Sequence, residues 1–222
     1  MNRPQLTAGM VALGGLIAFA AGSAAAQSLH GPYVAVGGGY DWMPDRDLSI
    51  DGHAVSSQWK SGAGVFAAFG YRLSPALRVE VEGSGREAKV KAFNDVNPWA
   101  GKQWDNSIMA NVLYDINIKG LPITPYVGGG LGATWIIWGD NFRATRQNPP
   151  VIYDADSWRG GWQGILGASY AISPKLAVAL DGRIKGSFGD YKFPGSVPPN
   201  VINKYSQRTN SIFVSVRYSF GS

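Results

Sequence analysis

From Leu77 to Arg86 the chain alternates with a period of two. Leu77, Val79, Val81, Gly83 and Gly85 fall on one side, and Arg78, Glu80, Glu82, Ser84 and Arg86 on the other. Alternate residues share a face of a β-strand, so the segment predicts a strand with one apolar and one strongly ionic face. Seven further segments repeat the pattern. Their apolar faces read Val34, Val36, Tyr40, Trp42; Ala63, Val65, Ala67, Phe69, Tyr71; Ile108, Ala110, Val112, Tyr114, Ile116; and Val127, Leu131, Ala133, Trp135. They continue with Trp162, Leu166, Ala168, Tyr170; Leu176, Val178, Leu180, Ile184; and Ile212, Val214, Val216, Tyr218, Phe220. No position in these sets is charged, whereas the opposite sets carry Asp41, Arg72, Asp115, Gln163, Asp181, Arg183, Lys185 and Arg217.

An internal repeat fixes the strand count. PYVAVGGGYDW (32–42) matches PYVGGGLGATW (125–135), FGYRLSPALRVEVEG (69–83) matches ASYAISPKLAVALDG (168–182), and SIMANVLYD (107–115) matches SIFVSVRYS (211–219). The offsets of 93, 99 and 104 residues drift as loop insertions would make them. A four-strand unit used twice predicts eight strands, with a period too long for a solenoid.

The predicted connections alternate in length. Ser74-Pro75-Ala76, Lys119-Gly120-Leu121-Pro122 and Ser173-Pro174-Lys175 read as tight turns, with Pro where no ladder N–H is needed. Between them lie long polar stretches at about 43–60, 87–103, 139–157 and 188–208. Three turns and four loops put both chain ends on the turn side.

Residues 1–26 stand apart, with Arg3 ahead of an apolar run from Met10 to Ala21 and then Ser23-Ala24-Ala25-Ala26. This is the layout of a secretory signal peptide cut near Ala26/Gln27, leaving 27–222 as one domain. Removing Arg3 lowers the formal net charge from +5 to +4. No later segment offers the ~18 consecutive apolar residues of a transmembrane helix.

Eight alternating strands suit either a soluble barrel or sandwich with its apolar face inward, or a membrane barrel with it outward. The second is favoured. The polar faces set Glu80, Glu82, Asp115 and Asp181 against Arg72, Arg78, Arg86, Arg183, Lys185 and Arg217, a set that can pair inside a narrow lumen. Aromatic residues gather toward strand ends, as membrane girdles require. The fold class expected is therefore all-β, an eight-stranded antiparallel up-and-down transmembrane β-barrel, with short turns periplasmic and long loops extracellular. Composition supports this: 30 Gly among 222 residues is about double the usual roughly 7%. Gly37, Gly39, Gly128, Gly130 and Gly132 fall on the crowded inner wall or mark bulges.

Candidate chemistry is sparse. There is no Cys and only His30 and His53, so thiol catalysis, disulfides and Cys-ligated metals are excluded, and neither a metal nor a cofactor is expected. The GGG runs lack the helix and Lys of a phosphate-binding loop, and nucleic acid is not an expected partner.

SIFVSVRYSF (211–220), SIMANVLYD (107–115), PYVGGGLG (125–132) and the leader, taken in order, resemble the small outer-membrane β-barrel proteins of Gram-negative bacteria, the OmpA-like and opacity-protein group. The resemblance spans the whole mature chain. It implies a last strand whose aromatic end, here Tyr218 and Phe220, is read by the barrel-insertion machinery, with Gly221-Ser222 following as a small departure. OmpA itself carries a peptidoglycan-binding domain; with two residues after the last strand, that tethering role is not expected here. Some barrels of this size act on lipid A, and those that resemble serine hydrolases carry a His-x-Ser pair with an acid; His53-Ala54-Val55-Ser56, in the first long loop, is the nearest approach, and no enzyme is expected.

The reading is a structural outer-membrane protein with a packed, salt-bridged lumen, serving envelope integrity or surface contact. Its alternatives are an adhesin working through the loops and a narrow pore. Expected partners are outer-membrane lipid and lipopolysaccharide, met by Lys89, Lys91, Lys102, Arg143, Arg146, Arg159, Lys192, Lys204 and Arg208 with Trp59, Trp99, Trp104 and Trp138 near the headgroups.

Overall fold

The computed structural model describes residues 30–50, 53–93, 102–139, 155–194, 201–205 and 207–220. Residues 1–26, expected to form a leader, and Trp99, Arg143, Arg146 and Gly221-Ser222 lie outside these. Twelve strands run in chain order: β1 (Gly31–Trp42), β2 (Arg46–Ile50), β3 (His53–Lys60), β4 (Gly62–Arg72), β5 (Leu77–Phe93), β6 (Lys102–Asp115), β7 (Ile123–Gly139), β8 (Ala155–Ala171), β9 (Leu176–Ser187), β10 (Tyr191–Pro194), β11 (Val201–Tyr205) and β12 (Arg208–Ser219).

Eight of them, β1, β4, β5, β6, β7, β8, β9 and β12, pair antiparallel in that circular order. The ring closes where β1 meets β12, from Tyr33 opposite Ser219 to Trp42 opposite Asn210. Closure leaves these strands without a free edge, which is how a sheet satisfies its backbone in lipid. Alternation follows the sequence pattern. Val36, Val65, Phe69, Val81, Leu131 and Leu166 point outward and are 58%, 58%, 59%, 59%, 63% and 68% exposed. An encircling apolar belt of this kind has no place on a protein surrounded by water. The soluble sandwich is thereby set aside.

The repeat persists in atomic detail. Leu77 N donates to Ser74 Oγ at 3.1 Å and Leu73 N to the Leu77 carbonyl at 2.9 Å. One repeat later, Leu176 N donates to Ser173 Oγ at 3.0 Å and Ile172 N to the Leu176 carbonyl at 2.8 Å. The third turn uses Gly120 at φ +85°, where other residues would be strained. The start of β1 and the end of β12 lie at this end of the barrel, Ser219 N bonding the Lys175 carbonyl and Phe220 N the Pro32 carbonyl.

The long connections differ from the expectation. Stretches read as loops at 43–60 and 188–208 contain the hairpins β2–β3 and β10–β11, and β5 continues to Phe93 within 87–103, while β6, β7 and β8 overlap the predicted loops only at their ends. β11 pairs with β2, and β3 with β5, so a sheet β10–β11–β2–β3 continues the barrel wall at the open end. His53, placed by the sequence in a loop, begins β3. The physical reason is that beyond the lipid both strand faces meet water, so polarity stops alternating while backbone pairing goes on.

Candidate functional site in the barrel lumen

Closure turns the polar faces of all eight strands toward one axis. Among the described residues six acids, Asp41, Glu80, Glu82, Asp105, Asp115 and Asp181, and six bases, Arg72, Arg78, Arg86, Arg183, Lys185 and Arg217, are buried there, each at most 9% exposed. All ten charged lumen positions named from the sequence are in this set. Asp41 and Asp105 complete it.

The layer nearest the turns centres on Asp115. Its carboxylate accepts from Arg72 Nη1 at 2.9 Å and from Arg78 Nη2 at 2.8 Å. Arg78 also reaches Glu80 at 3.2 Å, and Tyr33 Oη donates to the same Glu80 oxygen at 2.6 Å. The Arg78 guanidinium lies 5.9 Å and 5.0 Å from the Tyr33 and Tyr126 ring centroids, close enough for cation–π attraction. Arg217 lies 5.6 Å from the Tyr33 ring and bonds Ser169. Adjoining this, Arg183 spans Glu82 at 2.7 Å and Asp181 at 2.5 Å. Asn111 and Tyr126 donate to those two carboxylates at 3.1 Å and 3.0 Å. Four acids and four bases make this region neutral.

A second cluster lies toward the long connections. Arg86 Nε is 2.8 Å from Asp41 and Lys185 Nζ is 2.6 Å from Asp105. Gln207 donates to Asp105 at 2.8 Å and Ser211 to Asp41. Two acids and two bases again cancel. Phe213, fully buried and edge-on to Phe66 at 5.4 Å, separates the clusters, with Arg183 at 5.1 Å and Arg86 at 5.6 Å from its ring. Desolvating twelve charges is offset only by such mutual pairing and hydrogen bonding.

The cavity between Arg78, Glu80, Asp181, Arg183 and Arg217 measures about 20 Å³, room for one water. Among the described residues no group of three His, Cys, Asp or Glu is placed to hold a metal. Tyr218 and Phe220 project outward at the end of the last strand with their rings 5.2 Å apart. Asp105 escaped the sequence reading because it adjoins a stretch taken for loop. The signal was present, since it shares parity with Asn111 and Asp115. Asp41 was read on the polar face but not among the paired acids.

A closed eight-stranded barrel with an ionic interior and an apolar exterior defines a transmembrane β-barrel of the outer-membrane type. Residues 11–220 match the family described as outer membrane protein beta-barrel domain, and the chain belongs to that family. It is similar to an outer membrane protein of Gluconacetobacter diazotrophicus, 30% identical over 239 residues, covering 93% of this chain and 62% of that protein. An uncharacterized protein of Brucella abortus is 28% identical over 172 residues, covering 67% of this chain and 60% of the relative. The chain thus spans about 60% of the length of the curated relatives it matches. Among solved structures, OprG of Pseudomonas aeruginosa aligns with TM-score 0.60 at 17% identity, covering 88% of this chain and 99% of that one. Neisserial surface protein A aligns with TM-score 0.55 at 18% identity, covering 85% and 97%. These likenesses show the fold.

Proposed function

We propose that this is a non-enzymatic, structural outer-membrane barrel with a closed lumen, serving envelope integrity and surface contact. The leader 1–26 is removed on export, the turns and chain ends face the periplasm, and the long connections face outward. Tyr218 and Phe220 present the last strand to the insertion machinery. The observation that carries this reading is the lumen itself: among the described residues twelve buried charges cancel cluster by cluster. Steady conductance from refolded protein in planar bilayers would overturn the plug. An unchanged migration of unheated against boiled protein on SDS gels would overturn the barrel.

Binding through the outer end is a second reading, favoured by one observation. The first and fourth long connections are joined through β11 and β2, Ile202 opposite Ile50, giving a built sheet above the rim instead of independent loops. Deleting 46–57 should then abolish any surface binding of cells expressing the protein while the gel shift persists.

A further inference from the structure

The two charge clusters of the lumen differ in how completely the protein satisfies them. In the cluster nearest the turns, both oxygens of Asp115, Glu82 and Asp181 accept hydrogen bonds from other lumen side chains. In the cluster toward the long connections, Arg86 Nη1 and Nη2, Asp41 Oδ2, Asp105 Oδ1, Gln207 Oε1 and Thr209 Oγ1 are buried without a hydrogen-bond partner in the protein. The residues that carry them are each at most 5% exposed.

These atoms are neighbours. Arg86 lies 2.8 Å from Asp41 and 4.0 Å from Asp105, and Gln207 donates to Asp105 at 2.8 Å. Thr209 stands in register with Lys185, whose ammonium is 2.6 Å from Asp105. Buried polar groups of native proteins are nearly all hydrogen-bonded, to the protein or to ordered water. An added cation here would meet Arg86 and Lys185, and an added anion Asp41 and Asp105. The ligand that fits a neutral set of donors and acceptors is itself neutral and both donates and accepts, as water does. At about three hydrogen bonds per buried water, two or more waters would satisfy the set.

Phe213 marks where such a chamber ends. From β12 its ring crosses β1, where Gly39 stands opposite, and occupies the space a side chain at Gly64 of β4 would need. Phe66, edge-on to it, does the same at Gly37. The Phe213 ring has a guanidinium from each cluster beside it, Arg86 at 5.6 Å and Arg183 at 5.1 Å, within reach of cation–π attraction. A layer of two rings offers water no hydrogen bond, and apolar gaps of this kind stay dry.

We propose that the outer half of the lumen is a hydrated chamber, binding water through Arg86, Asp41, Asp105, Gln207 and Thr209, and that Phe213 is the seal keeping outside water from the inner ion pairs. The inference rests on the closed-lumen reading above and locates the closure in one side chain.

The test follows, by NMR of refolded full-length protein in nanodiscs, how fast guanidinium protons exchange with deuterated water. In wild type, exchange at Arg86 should outpace that at Arg78 and Arg183 by on the order of tenfold or more. Phe213→Ala should bring Arg183 to the rate of Arg86, whereas Phe213→Leu, which keeps apolar bulk, should leave it protected. Backbone amides of β9 report global opening, so faster exchange at Arg183 with unchanged amide protection marks local entry of water. Leu113→Ala, a truncation of another buried apolar side chain below the ring, should not reproduce it. If Phe213→Ala gives no heat-modifiable band, Phe213→Val and the wild-type comparison carry the test. Equal exchange at Arg86 and Arg183 in wild type, or an unchanged Arg183 in folded Phe213→Ala, overturns the seal. Steady conductance of the wild type would bring down the closed-lumen reading as well, whereas equal exchange without conductance removes only the role of Phe213.

Discussion

Tyr33 lies in register opposite Gly70, and its ring fills the space a side chain at Gly70 would need. The same relationship joins Phe66 to Gly37, Asn111 to Gly130 and Tyr126 to Gly167. At these four positions an inward glycine is the complement of inward bulk on the next strand. The β1–β4 and β1–β12 registers run without a bulge, so crowding by Phe66 and Ser215, not strand bending, explains Gly37.

Gly70→Ala should therefore destabilise the barrel by about 1–3 kcal/mol through overpacking against Tyr33. Gly83→Ala faces outward with nothing within 4 Å and should be neutral or stabilising by up to about 1 kcal/mol. Urea unfolding of the refolded protein in detergent, followed by the gel shift, distinguishes the two; equal losses would refute the packing account.

Asp115 accepts from both Arg72 and Arg78. Asp115→Asn removes the carboxylate charge that both guanidiniums share and should cost about 3–5 kcal/mol. Lys89→Gln removes a pair between an exposed lysine and a half-buried Glu87 and should cost at most about 1 kcal/mol. The same unfolding titration reads both. A mild Asp115→Asn phenotype would mean that the lumen carries solvent enough to rehydrate its charges.

Lipid-facing substitutions should show a depth gradient. Val81→Arg and Val214→Arg, outward and near mid-belt, should cost about 2–4 kcal/mol, and Leu77→Arg at the turn end about 0–1 kcal/mol. Unfolding in lipid vesicles measures this, and a flat profile would contradict the proposed membrane position.

Phe220→Ala, alone or with Tyr218→Ala, should slow insertion into proteoliposomes holding the assembly machinery while changing the unfolding midpoint of the finished barrel little. Folding kinetics by gel shift report the first and urea titration the second. An unchanged insertion rate would remove the signal role from these aromatics.

Much was legible in the amino-acid order because lipid imposes period-two patterning on every spanning strand. Eight strands, their inward faces and the two matching Ser-Pro turns follow from Leu77–Arg86 and its counterparts. Beyond the lipid that constraint lapses. His53 to Lys60 then read as loop although it pairs with β2 and β5.

The sequence by itself determined which residues face inward and that their charges nearly balance. Closure decided the rest. Arg183 meets Glu82 across 101 positions and Gln207 meets Asp105 across 102, so the completed balance with Asp41 and Asp105 depends on register around a ring. Pairing of Tyr33 with Gly70, and the extra residue between Gly64 and Lys60 relative to Arg86 and Lys89 that leaves Trp59 buried and Lys60 exposed, are likewise properties of neighbouring strands, because alternation along one strand carries no information about what stands beside it.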